Sequence, residues 1–254
     1  MLDKIEDANT LVVGATQGIG LGFVEALVRN PNAGRIFCTY RKPSTADRLF
    51  TLQREHPDRL ECLQVDVTDE TQIASALRQV QDSVKELHLA LYCVGILHDD
   101  DLAPEKSLRH INSENLIRSF QINSIGAVLV AKHLVPLFKK GGHSVFACIS
   151  AKVGSIDDNR LGGWYGYRAS KAALNMFLRT TAIEYRRRCP KTIVVALHPG
   201  TTATRLSEPF QQNVPPEQLF SVEHTVHLLS GVITKLEMSD SGEFYSWNGS
   251  QLPW

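Results

Sequence analysis

Residues 12–27 read VVGATQGIGLGFVEAL. Val12 and Val13 end an apolar run, and glycines follow at 14, 18 and 20, ahead of a segment with helical periodicity. This is the signature of a strand, a tight turn and the start of a helix. Glycine has no side chain to keep a phosphate away from the backbone, and the first amides of a helix lack an intrahelical acceptor. A glycine turn between a first strand and a first helix therefore suits the pyrophosphate of a dinucleotide. Gly14, Gly18 and Gly20, with Thr16, Gln17 and Ile19 among them, form the candidate cofactor loop.

Outward from this turn, apolar runs rich in β-branched residues recur: TLVVG, RIFCTY, LECLQVD, LHLALYCVG, SVFACIS, TIVVALHPG and, more weakly, GEFYSW. Segments with helical periodicity separate them, among them 19–29, 69–86, 113–139 and 167–188. Strands alternating with helices predict an α/β fold, a doubly wound and mainly parallel sheet of about seven strands with helices on both faces. Nearly continuous apolarity within the strands fits a sheet buried on both sides. There is no repeat, low-complexity tract or linker, so residues 1–254 are expected to form a single domain. In such sheets ligands bind beyond the carboxyl ends of the strands, which is where candidate residues carry most weight.

Composition narrows the function. The 254 residues include 27 Lys plus Arg and 27 Asp plus Glu, for a formal charge of zero. No broad basic field exists to attract nucleic acid, and Arg186, Arg187 and Arg188 answer the dipole at a helix C-terminus. The cysteines at 38, 62, 93, 148 and 189 show no metal spacing and no signal peptide precedes them, so reduced thiols in the cytoplasm are expected. INSIGAVLVAKHLVPLF, residues 122–138, is interrupted by polar side chains and reads as a buried helix, without a membrane anchor. His98 beside Asp99, Asp100 and Asp101 reads as a solvated loop, so no metal is expected.

Residues 165–174, YGYRASKAAL, favour helix. Positions four apart share a helix face, which sets Tyr167 beside Lys171 and turns Tyr165 elsewhere. Such a pair is either a surface contact or a proton donor with a depressed pKa.

The G-x3-G-x-G turn and the Y-x3-K pair together resemble the short-chain dehydrogenase/reductase family, and the resemblance spans nearly the whole chain. SAKVGSI, LGGWYGYRASKAALN and the tail SGEFYSWNGSQLPW are most similar to its C-factor-like branch, named for a protein linked to cell–cell signalling. The resemblance implies a Rossmann-type fold and an NAD(P)-dependent oxidoreductase that moves hydride between a nicotinamide and a small carbonyl or alcohol. Tyr167 would donate or accept the proton, with its pKa lowered by Lys171 and by the positive nicotinamide of an oxidised cofactor; Lys171 would also grip the ribose. Asn123 would complete a water-mediated proton relay. Relatives carry Ser-Ser-x-x-Gly after the fifth strand. Here Ala151 stands three residues before Gly154, so Ser150 is the candidate for the substrate oxygen and Ser155 the alternative.

For the cofactor, the family places an acidic residue after the second strand to bind the ribose of NAD. TYRKP has none, and Arg41, helped by Lys42, could hold a 2′-phosphate by charge-assisted bonds. NADP(H) is therefore favoured and NAD(H) possible. Gln17 stands where some NADP-dependent relatives carry a second basic residue. Asp66 would bond the adenine amino group and Val67 pack on the ring, although Asp66 or Thr68 could instead cap the next helix. Gly95 would line the cofactor, while Cys93 replaces a familiar asparagine. Pro199 and Gly200 would turn beneath the nicotinamide, with Thr201, Thr202 and Thr204 near its carboxamide. Segment 201–220 would form the substrate loop. A homodimer or homotetramer is expected by resemblance alone. The competing reading is a nucleotide-binding signalling or regulatory protein with little turnover, suggested by the departures at Cys93 and Ala151.

Overall fold

The computed structural model describes residues 8–138 and 142–254. Residues 1–7 and 139–141, which the expected single domain includes, lie outside them. The chain runs β1 (Ala8–Val13), α1 (Gly18–Arg29), β2 (Ala33–Tyr40), α2 (Asp47–Glu55), β3 (Leu60–Gln64), α3 (Glu70–Ser83) and β4 (Leu89–Tyr92). Next come α4 (Ser113–Phe120), a π-helical turn (Gln121–Ile125), α5 (Gly126–Phe138), β5 (Ser144–Ile149), α6 (Tyr165–Arg188) and β6 (Thr192–His198). Two short strands, β7 (Thr201–Thr202) and β8 (Leu219–Phe220), precede α7 (Val222–Lys235) and β9 (Phe244–Ser246).

Seven strands form one sheet in the order β3-β2-β1-β4-β5-β6-β9, and every pairing is parallel. The order reverses between β1 and β4, which opens a crevice at their carboxyl ends. Successive residues of a strand point to opposite faces. In β1, Leu11 and Val13 join the core formed with α3, α5 and α6, while Val12 joins the core formed with α1, α2 and α7. Every residue of β5 is buried, the reason its sequence is an unbroken apolar run.

The helix from Ser113 to Phe138 is long and apolar enough to cross a membrane by length and composition. Its Val130, Ala131 and Leu134 are instead spent in the core, where α5 packs on α3 and α6. The parallel pair β7–β8 ties the two ends of the expected substrate loop, and Ala203 N donates to Phe220 O at 2.8 Å. That loop is therefore a closed excursion anchored at both ends.

Candidate active site

Helix α6 starts two residues before Tyr167 and places Tyr167 and Lys171 on one face, both buried. Lys171 Nζ lies 5.9 Å from the centroid of the Tyr167 ring and donates to Ile149 O at 2.8 Å, at the end of β5. A surface pair is thereby excluded. Burial pushes the Lys171 ammonium down to about 8. Burial also pushes the Tyr167 phenol upward. Burial opposes the lowering expected from Lys171 and an oxidised nicotinamide, since desolvation disfavours the charged phenolate and the Lys171 ammonium is turned toward a carbonyl.

Asn123 lies in the π-helical turn between α4 and α5, a local widening often found at functional positions. Tyr92 OH donates to Ile122 O at 2.7 Å within that turn. The Asn123 side chain is fully buried; its Oδ1 accepts from Ile96 N at 2.7 Å, and its Nδ2 donates to Ile96 O and to Ser170 Oγ, both at 2.9 Å. Ser170 Oγ in turn donates to Tyr167 O at 2.9 Å. Asn123 therefore links the exit of β4 to the helix that carries Tyr167 and Lys171. A side-chain carbon added to Gly95 would lie 3.5 Å from Lys171 Nζ and 3.6 Å from Asn123 Oδ1, so these three residues share one corner.

Both candidate serines are buried and already bonded. Ser150 Oγ donates to Asn175 Oδ1 at 2.6 Å, and Asn175 follows Lys171 by one helical turn. Ser155 Oγ donates to Trp254 O at 3.1 Å and accepts from Asp158 N at 3.1 Å, which turns it toward the C-terminal residues. Ser150 thus lies against the helix of the Tyr–Lys pair, and Ser155 against the chain end.

The glycine turn has the form of a phosphate cradle. Gly14 has φ +83°, and a Cβ there would fall 2.5 Å from Val94 Cγ2. Its N–H donates to Thr39 Oγ1 at 3.0 Å, a tie from β2 that the sequence did not disclose. Gly18 and Ile19 begin α1, Gly20 is buried in its first turn, and Thr16 and the exposed Gln17 precede it. No side chain caps α1, so its first amides remain for an anion. Arg41 and Lys42 are exposed beyond β2, and their side chains make no ion pair among the described residues. This donor set fits a pyrophosphate and a further phosphate.

Asp66 Oδ1 accepts from Thr68 N at 2.9 Å and Thr68 Oγ1 at 2.7 Å, while Val67 is buried. Neither Asp66 nor Thr68 caps α3; Asp69 does, accepting from Thr71 N and Gln72 N. Cys93 N donates to Val13 O at 2.9 Å, so the backbone joins the β1 and β4 exits. Gly200, next to Pro199, has φ +72° and packs against Phe220 and Trp247. Thr201 and Thr202 form β7, but Thr202 Oγ1 is engaged with Thr225 Oγ1 at 2.8 Å. Thr204 approaches the glycine turn: a Cβ on Gly18 would lie 3.1 Å from Thr204 Cγ2.

His98 Nε2 is 3.1 Å from both Arg205 O and Leu206 O, so it ties segment 201–220 to the β4 exit; no metal cluster occurs among the described residues. Trp164 lies 6.3 Å from the Tyr167 ring and 4.7 Å from Phe210, closing an aromatic wall beside the tyrosine. Phe210 carried no signal in the sequence, since it is isolated among polar residues. Trp247 packs on Phe220 and Trp254 stacks on Phe244, both within the C-terminal region.

Residues 8–215 match the family model described as short chain dehydrogenase. The C-signal protein of Myxococcus xanthus is 32% identical over 149 residues, covering 58% of this chain and 84% of that protein. The (S)-benzoin-forming benzil reductase of Saccharomyces cerevisiae is 27% identical over 215 residues, covering 82% of this chain and 76% of that protein. The structure of NADPH-bound carbonyl reductase from chicken fatty liver superposes with a TM-score of 0.87 at 29% identity, over 98% of this chain and 100% of that one. With the glycine cradle, the buried Tyr–Lys pair and the parallel sheet that joins them, the match places this chain in the short-chain dehydrogenase family.

Proposed function

We propose that this oxidoreductase uses NADP(H) to interconvert a small carbonyl compound and its alcohol, with Tyr167 as the proton donor and acceptor. The observation that carries the reading is the buried juxtaposition of Tyr167 and Lys171 at the carboxyl end of the sheet, beside Gly95 and Asn123. When bound, a reduced nicotinamide would supply the hydride. Burial keeps the Tyr167 phenol protonated near neutrality, the form needed to protonate a carbonyl oxygen during reduction. Lys171 would hold positive charge beside the phenol and donate to the ribose hydroxyls. Asn123 fixes the β4 exit against α6, and its place between Ile96 and Ser170 supports the relay role.

Ser150 is our assignment for the substrate oxygen, because its hydroxyl lies against α6 one turn from Lys171. Arg41 and Lys42 would hold the 2′-phosphate; the turn through Gly14, Thr16, Gln17, Gly18, Ile19 and Gly20 would hold the pyrophosphate. Asp66, Val67 and Gly95 would line the adenosine and nicotinamide, as would Pro199, Gly200, Thr201, Thr202 and Thr204. The NADPH-bound carbonyl reductase supports the cofactor, and the benzil reductase supports the substrate class. Exposed Ile117, Ile125, Met176 and Ile183, on α4, the π turn and α6, support assembly as a homodimer or homotetramer. A reducing cytoplasm is the proposed compartment, which the free thiols of Cys38, Cys62, Cys93 and Cys148 fit.

The test is NADPH oxidation with a panel of ketones and diketones including benzil. Turnover should vanish in Tyr167→Phe while NADPH binding persists. The C-signal relative and Ala151 favour a second reading, a nucleotide-binding signalling protein. That reading requires NADPH binding without turnover in the unaltered protein.

A further inference from the structure

Helix α6 begins without a cap of its own. Its N-cap residue is Trp164, which has no acceptor side chain and sits in the left-handed region at φ +53°. The two preceding glycines, Gly162 and Gly163, also have positive φ, at +65° and +67°. The first amides of a helix need acceptors, and a buried terminus without them is unstable. Here the acceptors come from a loop 61 residues upstream: Glu105 Oε2 accepts from Gly166 N at 3.1 Å. Glu105 O accepts from Trp164 N at 2.6 Å.

Glu105 is a carboxylic side chain only 4% exposed, a placement that costs free energy unless the group is bonded. The positive end of a 24-residue helix is a favourable place for such a group. The fit is close: a Cβ on Gly166 would lie 2.9 Å from Glu105 Oε1 and 3.1 Å from Leu116 Cδ2. The loop bearing Glu105 is itself held, since Asp99 makes a two-point ion pair with Arg118 of α4. Tyr167 directly follows the bonded amide. Whatever sets the first turn of α6 sets the phenol.

We propose that Glu105 is a positioning residue: by capping α6 from outside, it fixes where Tyr167 stands relative to the substrate oxygen. The proposal rests on the reading of Tyr167 as proton donor. A displacement of about 1 Å at a reacting group can cost about a hundredfold in rate, so loss of the cap should appear in kcat.

The experiment compares Glu105→Ala, Glu105→Gln and Tyr167→Phe in complex with NADPH, well below their melting temperatures. It reads kcat and KM for an accepted carbonyl substrate, the NADPH Kd, and amide hydrogen exchange across residues 165–168. Glu105→Ala should speed exchange at the start of α6 and lower kcat by about tenfold to a hundredfold, with the NADPH Kd within about twofold. Glu105→Gln, whose amide oxygen still accepts from Gly166, should recover most of both. If Glu105→Ala does not fold, Glu105→Asp, one methylene short, takes its place in the comparison.

Unchanged exchange at 165–168, or faster exchange with wild-type kcat, overturns the proposal. Faster exchange together with full turnover by Tyr167→Phe leaves Glu105 as a cap but overturns its positioning role, because Tyr167 itself then falls. Absence of turnover in the unaltered protein would fail the proposed function, and with it this positioning role, while exchange still decides the cap.

Discussion

Gly20→Ala tests the cofactor cradle against the packing that builds it. A Cβ at Gly20 would fall 2.1 Å from Gly14 O, 3.0 Å from Gly14 C and 3.2 Å from Ala15 Cα. Ordinary contact starts at 3.4 Å, so the shortfall against the carbonyl oxygen is 1.3 Å. The obstacle is backbone, not the end of a flexible side chain, so α1 must move away from the β1 exit by about the same distance. Overpacking of this kind costs about 3 kcal/mol, which lowers Tm by roughly 6–12 °C in a chain of this size. The same displacement carries the first amides of α1 off the pyrophosphate. Losing one charge-assisted bond weakens NADPH binding by about tenfold to a hundredfold. The control is Gly231→Ala in α7, where a Cβ meets nothing within 4 Å. Alanine there should add about 0.5–1 kcal/mol, since it limits the unfolded chain and favours helix. Differential scanning calorimetry and titration calorimetry with NADPH read both variants. Wild-type Tm and NADPH affinity in Gly20→Ala would refute the argument, as would a larger loss of stability in Gly231→Ala.

Arg41→Ala should weaken NADPH by about tenfold or more and leave NADH nearly unchanged, because only the former carries the phosphate; equal losses in side-by-side titrations reject the assignment. Lys171, held down to about 8 by burial, should make NADPH binding weaken as pH rises through that value, and Lys171→Met should flatten the profile. Folding lowers the Lys171 pKa from 10.5 to about 8, so the unfolded chain binds more protons across that window. Stability contributed by this residue therefore rises with pH between those values, a slope that urea titrations of Lys171→Met should lack. Ser150→Ala should reduce kcat by about a hundredfold, as loss of a donor to the reacting oxygen does elsewhere, with Ser155→Ala near wild type; the reverse order would move the assignment to Ser155.

Local pattern made much of this protein legible. Val12, Val13 and the glycines at 14, 18 and 20 announced a strand, a turn and a helix, and all three are present. The helical spacing of Tyr167 and Lys171 placed them on one face. Helix α2 was harder to see because only Leu49 and Leu52 of its nine residues are buried. The N-cap of α3 was misplaced, since Asp66, Thr68 and Asp69 all have capping side chains and only backbone geometry selects Asp69. The spacing that sets a cation beside Tyr167 does not show the desolvation of its phenol, which comes from burial by other elements.

The alternation of strands and helices, the glycine turn and the Tyr–Lys pair could be read directly, because each is encoded within a few consecutive residues or one helical turn. Tertiary packing settles which residues far apart in the chain meet. It brought Glu105 to Gly166, Asn123 to Ile96 and Ser170, Ser150 to Asn175, and Thr39 to Gly14. Such contacts depend on how whole elements pack against the sheet, and no local periodicity specifies that.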